Sequence, residues 1–198
     1  MSKLLLSRFM KYLFGGLILL TFISYGEREV NTSEPRKTTK GDKYLPQVIH
    51  SVDASDEIEF AGENVPMNRP DVRERLEQEL TINSYWHSST LLNLKRSHRY
   101  FPVIENILRE EGVPLDFKYL AVAESNLENA TSPAGAKGVW QFMPRTAKAY
   151  DLEISSDVEE RYHIEKATRA ACAYLKDYRE DFGSWTLAAA AYNMGGPR

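Results

Sequence analysis

The 198-residue sequence predicts an all-α domain that follows an export signal and a polar linker. Two observations lead to this fold class. No stretch alternates between apolar and polar residues as a half-buried strand does, whereas several stretches repeat apolar residues at intervals of three and four, as amphipathic helices do. Because 42% of the residues are apolar, the chain has enough material for one buried core.

The first residues have the pattern of a secretory signal. Three basic residues precede an uncharged apolar run at residues 12–25. This run is shorter than the roughly 20 residues that a helix needs to cross a bilayer. We therefore expect export to the bacterial periplasm or cell envelope, either with cleavage after Gly26 or with residues 1–26 kept as a membrane anchor.

Residues 27–69 predict a polar linker. They contain three prolines and show neither a helical nor a strand period. Short apolar patches at residues 44–48 and 58–60 are too brief to make a core but could dock on a neighbouring domain.

The domain itself, residues 70–198, begins with a helix. Pro70 suits the first turn of a helix, where its missing N–H costs nothing. Val72, Leu76 and Leu80 then fall on one face.

Further helices follow from the same spacing rule. Apolar residues repeat between positions 100 and 108, and Gly112 is placed to end that helix. A long apolar stripe over residues 167–182 predicts another helix, which Gly183 closes and after which Ser184 is placed to cap the next. The lone cysteine, at position 172, lies one position off this stripe and is expected to serve in packing.

The composition argues against several classes of function. The formal net charge is -3, and it falls to -6 once the three basic residues of the leader are removed, so a nucleic-acid partner is not expected. A single cysteine allows no internal disulfide and no cysteine-based zinc cluster. The four histidines lack the spacing of a metalloprotease, and no nucleotide-binding glycine loop is present. We expect no metal and no cofactor.

The most informative segment is residues 115–125, where Glu124 shares one helical face with three apolar side chains. Desolvation and the negative end of the helix dipole should both raise the pKa of this carboxyl. A carboxyl that stays protonated near neutral pH can donate its proton to a leaving oxygen, as glycosidases require. The alternative is a buried ion pair of Glu124 with Lys118, Arg145 or another cation, and the residues alone leave both interpretations open.

Small residues at positions 129–138 predict a loop with room for an extended ligand. Trp140, Gln141 and Met143 follow it. An aromatic face can stack on a sugar ring, and an amide can satisfy hydroxyl and acetamido groups. For Trp140 and Phe142, ordinary core packing is the alternative.

Near the end of the chain, Tyr192 and Asn193 follow four consecutive alanines, which permit close helix contact. Both side chains could point into a groove as donors. Gly195 is placed as a helix C-cap.

Three segments, taken in order, resemble the motifs of one family. They are the pair Glu124-Ser125, the G-x-W-Q element at residues 138–141 and the A-Y-N-x-G element at residues 191–195. In order and spacing they resemble the lytic transglycosylases with a goose-lysozyme-like (SLT) domain, specifically the membrane-bound murein transglycosylase D type. The resemblance covers about residues 70–198 and implies a lysozyme-like α-helical domain.

This resemblance implies a peptidoglycan lytic transglycosylase, which cleaves the β-1,4 bond between N-acetylmuramic acid and N-acetylglucosamine without water and leaves 1,6-anhydromuramic acid ends. Glu124 would be the catalytic acid and then the base, with the substrate's acetamido group in place of a second carboxylate. Glu128 is expected to be solvated and receives no role. Tyr192 would hydrogen-bond Glu124 and orient it. The implied substrate-binding residues are Ser125, Ser132, Gln141, Met143, Tyr192 and Asn193.

Two departures from the family pattern affect the expectations. Leu127 stands where an aromatic residue is usual, which predicts looser packing under the acid. The chain stops at Arg198, whereas the family continues into further helices, so we expect the domain to be incomplete at its C-terminus. The expected partner is the peptidoglycan glycan strand, bound by a monomer.

Two other functions stay open. A hydrolytic muramidase of the goose-lysozyme type would share the acid but deliver water to the cleaved bond. An inactive peptidoglycan-binding module would keep the groove without the chemistry.

Overall fold

The computed structural model describes residues 54 and 57–194. Helices dominate this part of the chain, which confirms the predicted fold class, and no helix in it is both long and apolar enough to cross a membrane. The predicted signal or anchor, most of the linker and the Gly195 cap lie outside the described residues. The elements are β1 (Glu59–Phe60), β2 (Glu63–Asn64), α1 (Pro70–Tyr85), α2 (His87–Glu111), α3 (Lys118–Ser125), α4 (Pro144–Ala149), α5 (Ile164–Phe182) and α6 (Trp185–Met194), with short 3-10 turns at Leu115–Phe117 and Glu160–Tyr162.

Helix α1 begins at Pro70, as predicted. Its buried residues are Val72, Leu76 and Leu80, which is the face that the spacing indicated. They pack with Met67 into a small apolar cluster that is separate from the main core.

The main core lies where α2 and α6 pack against α5. Gly112 ends α2 with φ +68°, a left-handed conformation that glycine adopts without a Cβ penalty. Helix α5 buries most of its predicted stripe, and Cys172 is fully buried, which confirms its packing role. Phe182, the last residue before the Gly183 cap, is instead 43% exposed because it lies at the very end of the helix, past the buried stretch.

The folded region begins before Pro70, which corrects the predicted extent of the linker. Strands β1 and β2 pair antiparallel, with Phe60 opposite Glu63. The Phe60 ring is buried in the main core, and its centroid lies 5.5 Å from that of Phe117. The sequence signal was the apolar patch at residues 58–60, and the structure shows Phe60 of this patch docked in the main core.

Glu63 joins the hairpin to the N-terminus of α6. Its carboxylate accepts hydrogen bonds from the Ser184 hydroxyl (2.6 Å) and from the backbone N–H groups of Trp185 (2.6 Å) and Thr186 (3.0 Å). Although burial by itself would raise its pKa, these hydrogen bonds lower the pKa of Glu63 to about 2. The Ser184 hydroxyl also accepts the Leu187 N–H at 3.3 Å, which confirms the predicted cap.

Candidate active site

Glu124 is the next-to-last residue of α3. Phe117 and Ala121, on the same face, are fully buried. The Oε1 atom of Glu124 is also buried and has no hydrogen-bond partner among the described residues. Because burial disfavours the charged form, it raises the pKa of Glu124 to about 7. Near neutral pH, a large share of these carboxyls therefore carries the proton that a general acid needs.

Within residues 54 and 57–194, no ion pair of Glu124 is formed, so the alternative of a buried ion pair is not met in this part of the chain. Lys118 pairs with Glu105 instead, with 2.7 Å between Nζ and Oε1. Arg145 is exposed on α4. A nearby cation would have lowered the pKa of Glu124, so its absence from the contacts of this carboxyl leaves desolvation as the dominant effect.

A tight turn follows α3 directly. Asn126 (φ +52°) and Leu127 (φ +56°) both adopt the left-handed conformation, which costs a non-glycine residue roughly 1–2 kcal/mol. Leu127 is 1% exposed, and burying a leucine fully contributes about 1.5–3 kcal/mol. Burial of Leu127 therefore offsets the strain of the turn, and the expectation of loose packing at this position is wrong.

The two predicted serines make bonds within the chain. The Ser125 hydroxyl lies 2.8 Å from the carbonyl oxygen of Val139 and 3.2 Å from that of Ala121, so it ties α3 to the segment that carries the second motif. The Ser132 hydroxyl accepts the N–H of Ala136 at 3.0 Å and closes the loop that precedes this segment. Both side chains thus hold the fold of these segments, and their roles in binding substrate stay predictions.

The second motif is a turn that only glycine can begin. Gly138 has φ +81°, and a Cβ at this position would lie 1.8 Å from the carbonyl oxygen of Arg161. Gln141 has φ +48°, and its Nε2 donates to the carbonyl oxygens of Gly138 (2.8 Å) and Ala130 (3.2 Å). The side-chain nitrogen of Gln141 therefore holds the loop through two backbone carbonyl oxygens.

Trp140 and Phe142 belong to the core. Trp140 is 0% exposed, and its Nε1 donates to the Thr168 hydroxyl at 2.9 Å. Phe142 is 2% exposed. Sugar stacking by these two rings is therefore wrong, and the alternative of ordinary core packing is confirmed.

Tyr192 is buried beside these rings, with its centroid 6.4 Å from that of Trp140 and 6.1 Å from that of Phe142. Its hydroxyl donates to the carbonyl oxygen of Trp140 at 2.8 Å, so the predicted hydrogen bond to Glu124 is not formed. Burial, followed by the charge of Glu124, raises the pKa of Tyr192 well above its ordinary value. The phenol of Tyr192 therefore stays neutral and keeps its proton on the bond to the Trp140 carbonyl.

Met143 and Asn193 are the exposed members of the predicted set. Met143 is 42% exposed just before α4, and Asn193 is exposed near the end of α6. Their roles in binding substrate stay predictions.

Two polar residues of α2 near this site were missed by sequence reasoning. Asn93 is 4% exposed, and its Nδ2 donates to Oδ1 of Asn126 at 3.1 Å. Arg96 donates to the carbonyl oxygen of the same residue at 3.1 Å. A signal for Asn93 existed, because it falls on the helical face of Ile104, where an apolar residue would be expected.

The transglycosylase SLT domain family matches residues 101–198, from within α2 to the end of the chain. Residues 101–198 belong to this family. All the predicted site residues lie inside the matched region, whereas the hairpin, α1, Asn93 and Arg96 precede it. The family match thus covers helix α3, which carries Glu124, and the two motifs that follow it.

Proteins named membrane-bound lytic murein transglycosylase D, from Escherichia coli strains K12 and O6:H1, are each 29% identical to the chain over 181 residues. This alignment covers 89% of the chain and 38% of each relative, so the chain spans well under half of their length. A putative tributyltin chloride resistance protein from Alteromonas sp. is 28% identical over 113 residues, which is 56% of the chain and 55% of that protein.

The candidate site centres on the carboxyl of Glu124. Within residues 54 and 57–194, no three histidine, cysteine, aspartate or glutamate side chains are grouped so that they could hold a metal ion. Glu124 can supply proton transfer, because its raised pKa leaves it partly protonated near neutral pH.

Proposed function

We propose that this protein is a peptidoglycan lytic transglycosylase that cleaves the bond between N-acetylmuramic acid and N-acetylglucosamine and leaves 1,6-anhydromuramic acid ends. The observation that carries the proposal is the carboxyl of Glu124, whose Oε1 is buried without a hydrogen-bond partner among the described residues and whose pKa is raised to about 7. Membership of the SLT family and the names of the Escherichia coli relatives support the same substrate class.

Glu124 would act twice in one turnover. As an acid, it donates its proton to the glycosidic oxygen while the bond between that oxygen and C1 of the muramic residue breaks. As a base, the resulting carboxylate takes the proton of the C6 hydroxyl, whose oxygen then bonds to C1 and closes the anhydro ring. The carboxyl ends protonated, as it began, and no water is consumed.

The cation-like intermediate between these steps needs a partner other than a second carboxylate. Glu128 is exposed, and its Oε1 lies 2.5 Å from a guanidinium nitrogen of Arg96. Since this pairing occupies the nearest carboxylate in sequence, we assign stabilisation of the intermediate to the acetamido group of the substrate.

The wider organisation belongs to the same proposal. Residues 1–26 would export or anchor the protein, a linker that ends before the hairpin would follow, and the folded domain would act in the bacterial cell envelope as a monomer on glycan strands. The relatives' name, membrane-bound, is in keeping with this placement.

Digestion of purified peptidoglycan, followed by mass spectrometry of the muropeptides, tests the proposal. We expect products one water lighter than those of hydrolysis, and Glu124→Gln should lower their rate of formation by at least about 10²-fold because the amide cannot donate the proton. Glu180→Gln, which changes an exposed carboxylate of α5, serves as the matched control and should keep full activity.

Two other results of this digestion would indicate a different function. Products that carry the additional water would identify a hydrolytic muramidase. Binding to peptidoglycan without any product, and without an effect of Glu124→Gln, would identify a binding module.

A further inference from the structure

Asn93 and Arg96 of α2 hold the turn that follows the catalytic carboxyl. Both contact Asn126, the first residue after α3, from positions 33 and 30 residues earlier in the chain. We propose that they are positioning residues, which fix the last turn of α3 so that Glu124 stays at the reacting bond. Their catalytic meaning rests on the proposed function, whereas their effect on Glu124 can be tested without any activity.

Asn93 is an unfavourable residue for its position if packing is its only task. It is 4% exposed, and its Oδ1 atom has no hydrogen-bond partner among the described residues. A buried amide oxygen without a partner costs free energy, so an apolar side chain of similar size would stabilise the fold there. What the amide supplies instead is the donor to Oδ1 of Asn126, at 3.1 Å.

Arg96 contacts both sides of the same turn. One guanidinium nitrogen donates to the carbonyl oxygen of Asn126 at 3.1 Å, and the other lies 2.5 Å from Oε1 of Glu128. The carbonyl belongs to the C-cap of α3, where a cation also complements the negative end of the helix dipole. A planar guanidinium can hold these two acceptors in a fixed geometry, which the ammonium group of lysine does less well.

The turn needs this support because Asn126 and Leu127 both have positive φ. Burial of its side chain stabilises Leu127 in this conformation. Asn126 is exposed, so the contacts from α2 are what stabilise its positive φ. Without them Asn126 can relax toward an ordinary φ, and Glu124, two residues earlier, moves with it. A displacement of about 1 Å at a catalytic group can lower the rate by about 10²-fold.

The first test compares Arg96→Ala, Arg96→Lys and Lys95→Ala in the full chain. Lys95 is the matched control, because it is an exposed cation beside Arg96 on the same helix. We expect Arg96→Ala to lower kcat by about 10-fold to 10²-fold with a smaller change in KM. Arg96→Lys should recover part of the loss, and Lys95→Ala should leave both constants unchanged.

The second readout is the titration of the Glu124 carboxyl by 13C NMR in the same variants. Burial raises its pKa from 4.5 to about 7 in the native chain. In Arg96→Ala, water reaches a loosened carboxyl and its pKa should fall toward 4.5. Because activity needs the protonated form, the loss of activity on raising the pH should then begin at a lower pH.

Asn93→Leu separates positioning from support of the fold. Leucine removes the unpartnered amide oxygen, so the free energy of unfolding should stay equal or rise. The rate constant kcat should nevertheless fall, because Asn126 loses its donor. A loss of stability in step with the loss of kcat would assign Asn93 to the fold alone and contradict the proposal.

The proposal is overturned if Arg96→Ala matches Lys95→Ala in kcat, in KM and in the Glu124 titration. A different result would separate the two levels. If Glu124→Gln kept full activity while Arg96→Ala still shifted the titration, the proposed function would fail and the support of α3 by α2 would stand.

Discussion

At the scale of single residues, the environment that keeps the Glu124 carboxyl protonated also lowers the stability of the fold at high pH. The pKa of Glu124 is about 7 in the folded chain and 4.5 in its ordinary state. Between these values the unfolded chain releases its proton and the folded chain keeps it, so the stability associated with this group is complete below pH 4.5 and is lost as the pH rises through 7. A protonated acid near neutral pH is thus obtained from a buried site that disfavours the carboxylate.

Glu124→Gln should therefore stabilise the protein selectively at high pH. The glutamine cannot ionise, so the variant should gain about 3 kcal/mol relative to the native chain between pH 5 and pH 8. Denaturant unfolding at the two pH values measures this difference. The exposed Glu180→Gln should show no such change with pH, and an equal effect of Glu124→Gln at both values would contradict the buried state of the carboxyl.

At the scale of elements, short local signals determine where α1, α2 and α5 begin or end, and a backbone contact determines the shape of the second motif. Pro70 suits the start of α1 because it lacks an N–H donor. Gly112 and Gly183 end α2 and α5 because glycine adopts a positive φ without a steric penalty. Gly138 acts through a remote partner, because its α-carbon lies directly against the backbone of Arg161. A pattern search finds this glycine, but only the fold explains it.

Gly138→Ala should disrupt the motif segment. The added Cβ would lie 1.8 Å from the carbonyl oxygen of Arg161, and either segment must move. With the cost of positive φ included, we expect the free energy of unfolding to fall by about 3 kcal/mol or more.

Gly135→Ala is the matched control for this variant. It has φ +89° and open space around its α-carbon, so it should lose only about 1–2 kcal/mol, from backbone strain. Thermal and denaturant unfolding of both variants give the comparison, and equal losses would refute the close approach of the two backbones.

At the scale of the whole molecule, the hairpin ties the N-terminal side of the domain to its last described helix. Glu63 reaches the N-terminus of α6 across more than a hundred residues of sequence, and Phe60 adds its ring to the main core. The chain before α1 therefore contributes to the fold that carries Glu124, although composition marks it as linker.

Glu63→Gln should weaken this long-range tie. Its folded pKa of about 2 lies below the ordinary 4.5, so its stabilising effect is present above pH 4.5 and is lost as the pH falls through 2. We expect the variant to lose about 1–2 kcal/mol of unfolding free energy at pH 7 and progressively less in acid. Glu59→Gln, on the exposed side of the same hairpin, should have little effect, and a pH-independent loss in Glu63→Gln would contradict the charged cap.

By itself, the amino-acid sequence determined the class of fold, the start of α1, the ends of α2 and α5 and the burial of the Glu124 carboxyl, because these follow from periodicity, from proline and glycine, and from the neighbours on one helical turn. It also singled out the motif segments by resemblance. Each of these features depends on residues a few positions apart, so a linear pattern contains them.

Only the tertiary structure decided which partners the polar and aromatic groups take. Tyr192 donates to the Trp140 carbonyl rather than to Glu124, the Trp140 ring fills the core rather than a sugar site, and Asn93 meets Asn126. Each of these contacts joins segments that are distant in sequence. Several segments could fill the same buried space or use the same few donors, so the sequence alone does not indicate which contact forms. Periodicity predicts that a side chain is buried, but the packing of elements distant in sequence determines which residues it contacts.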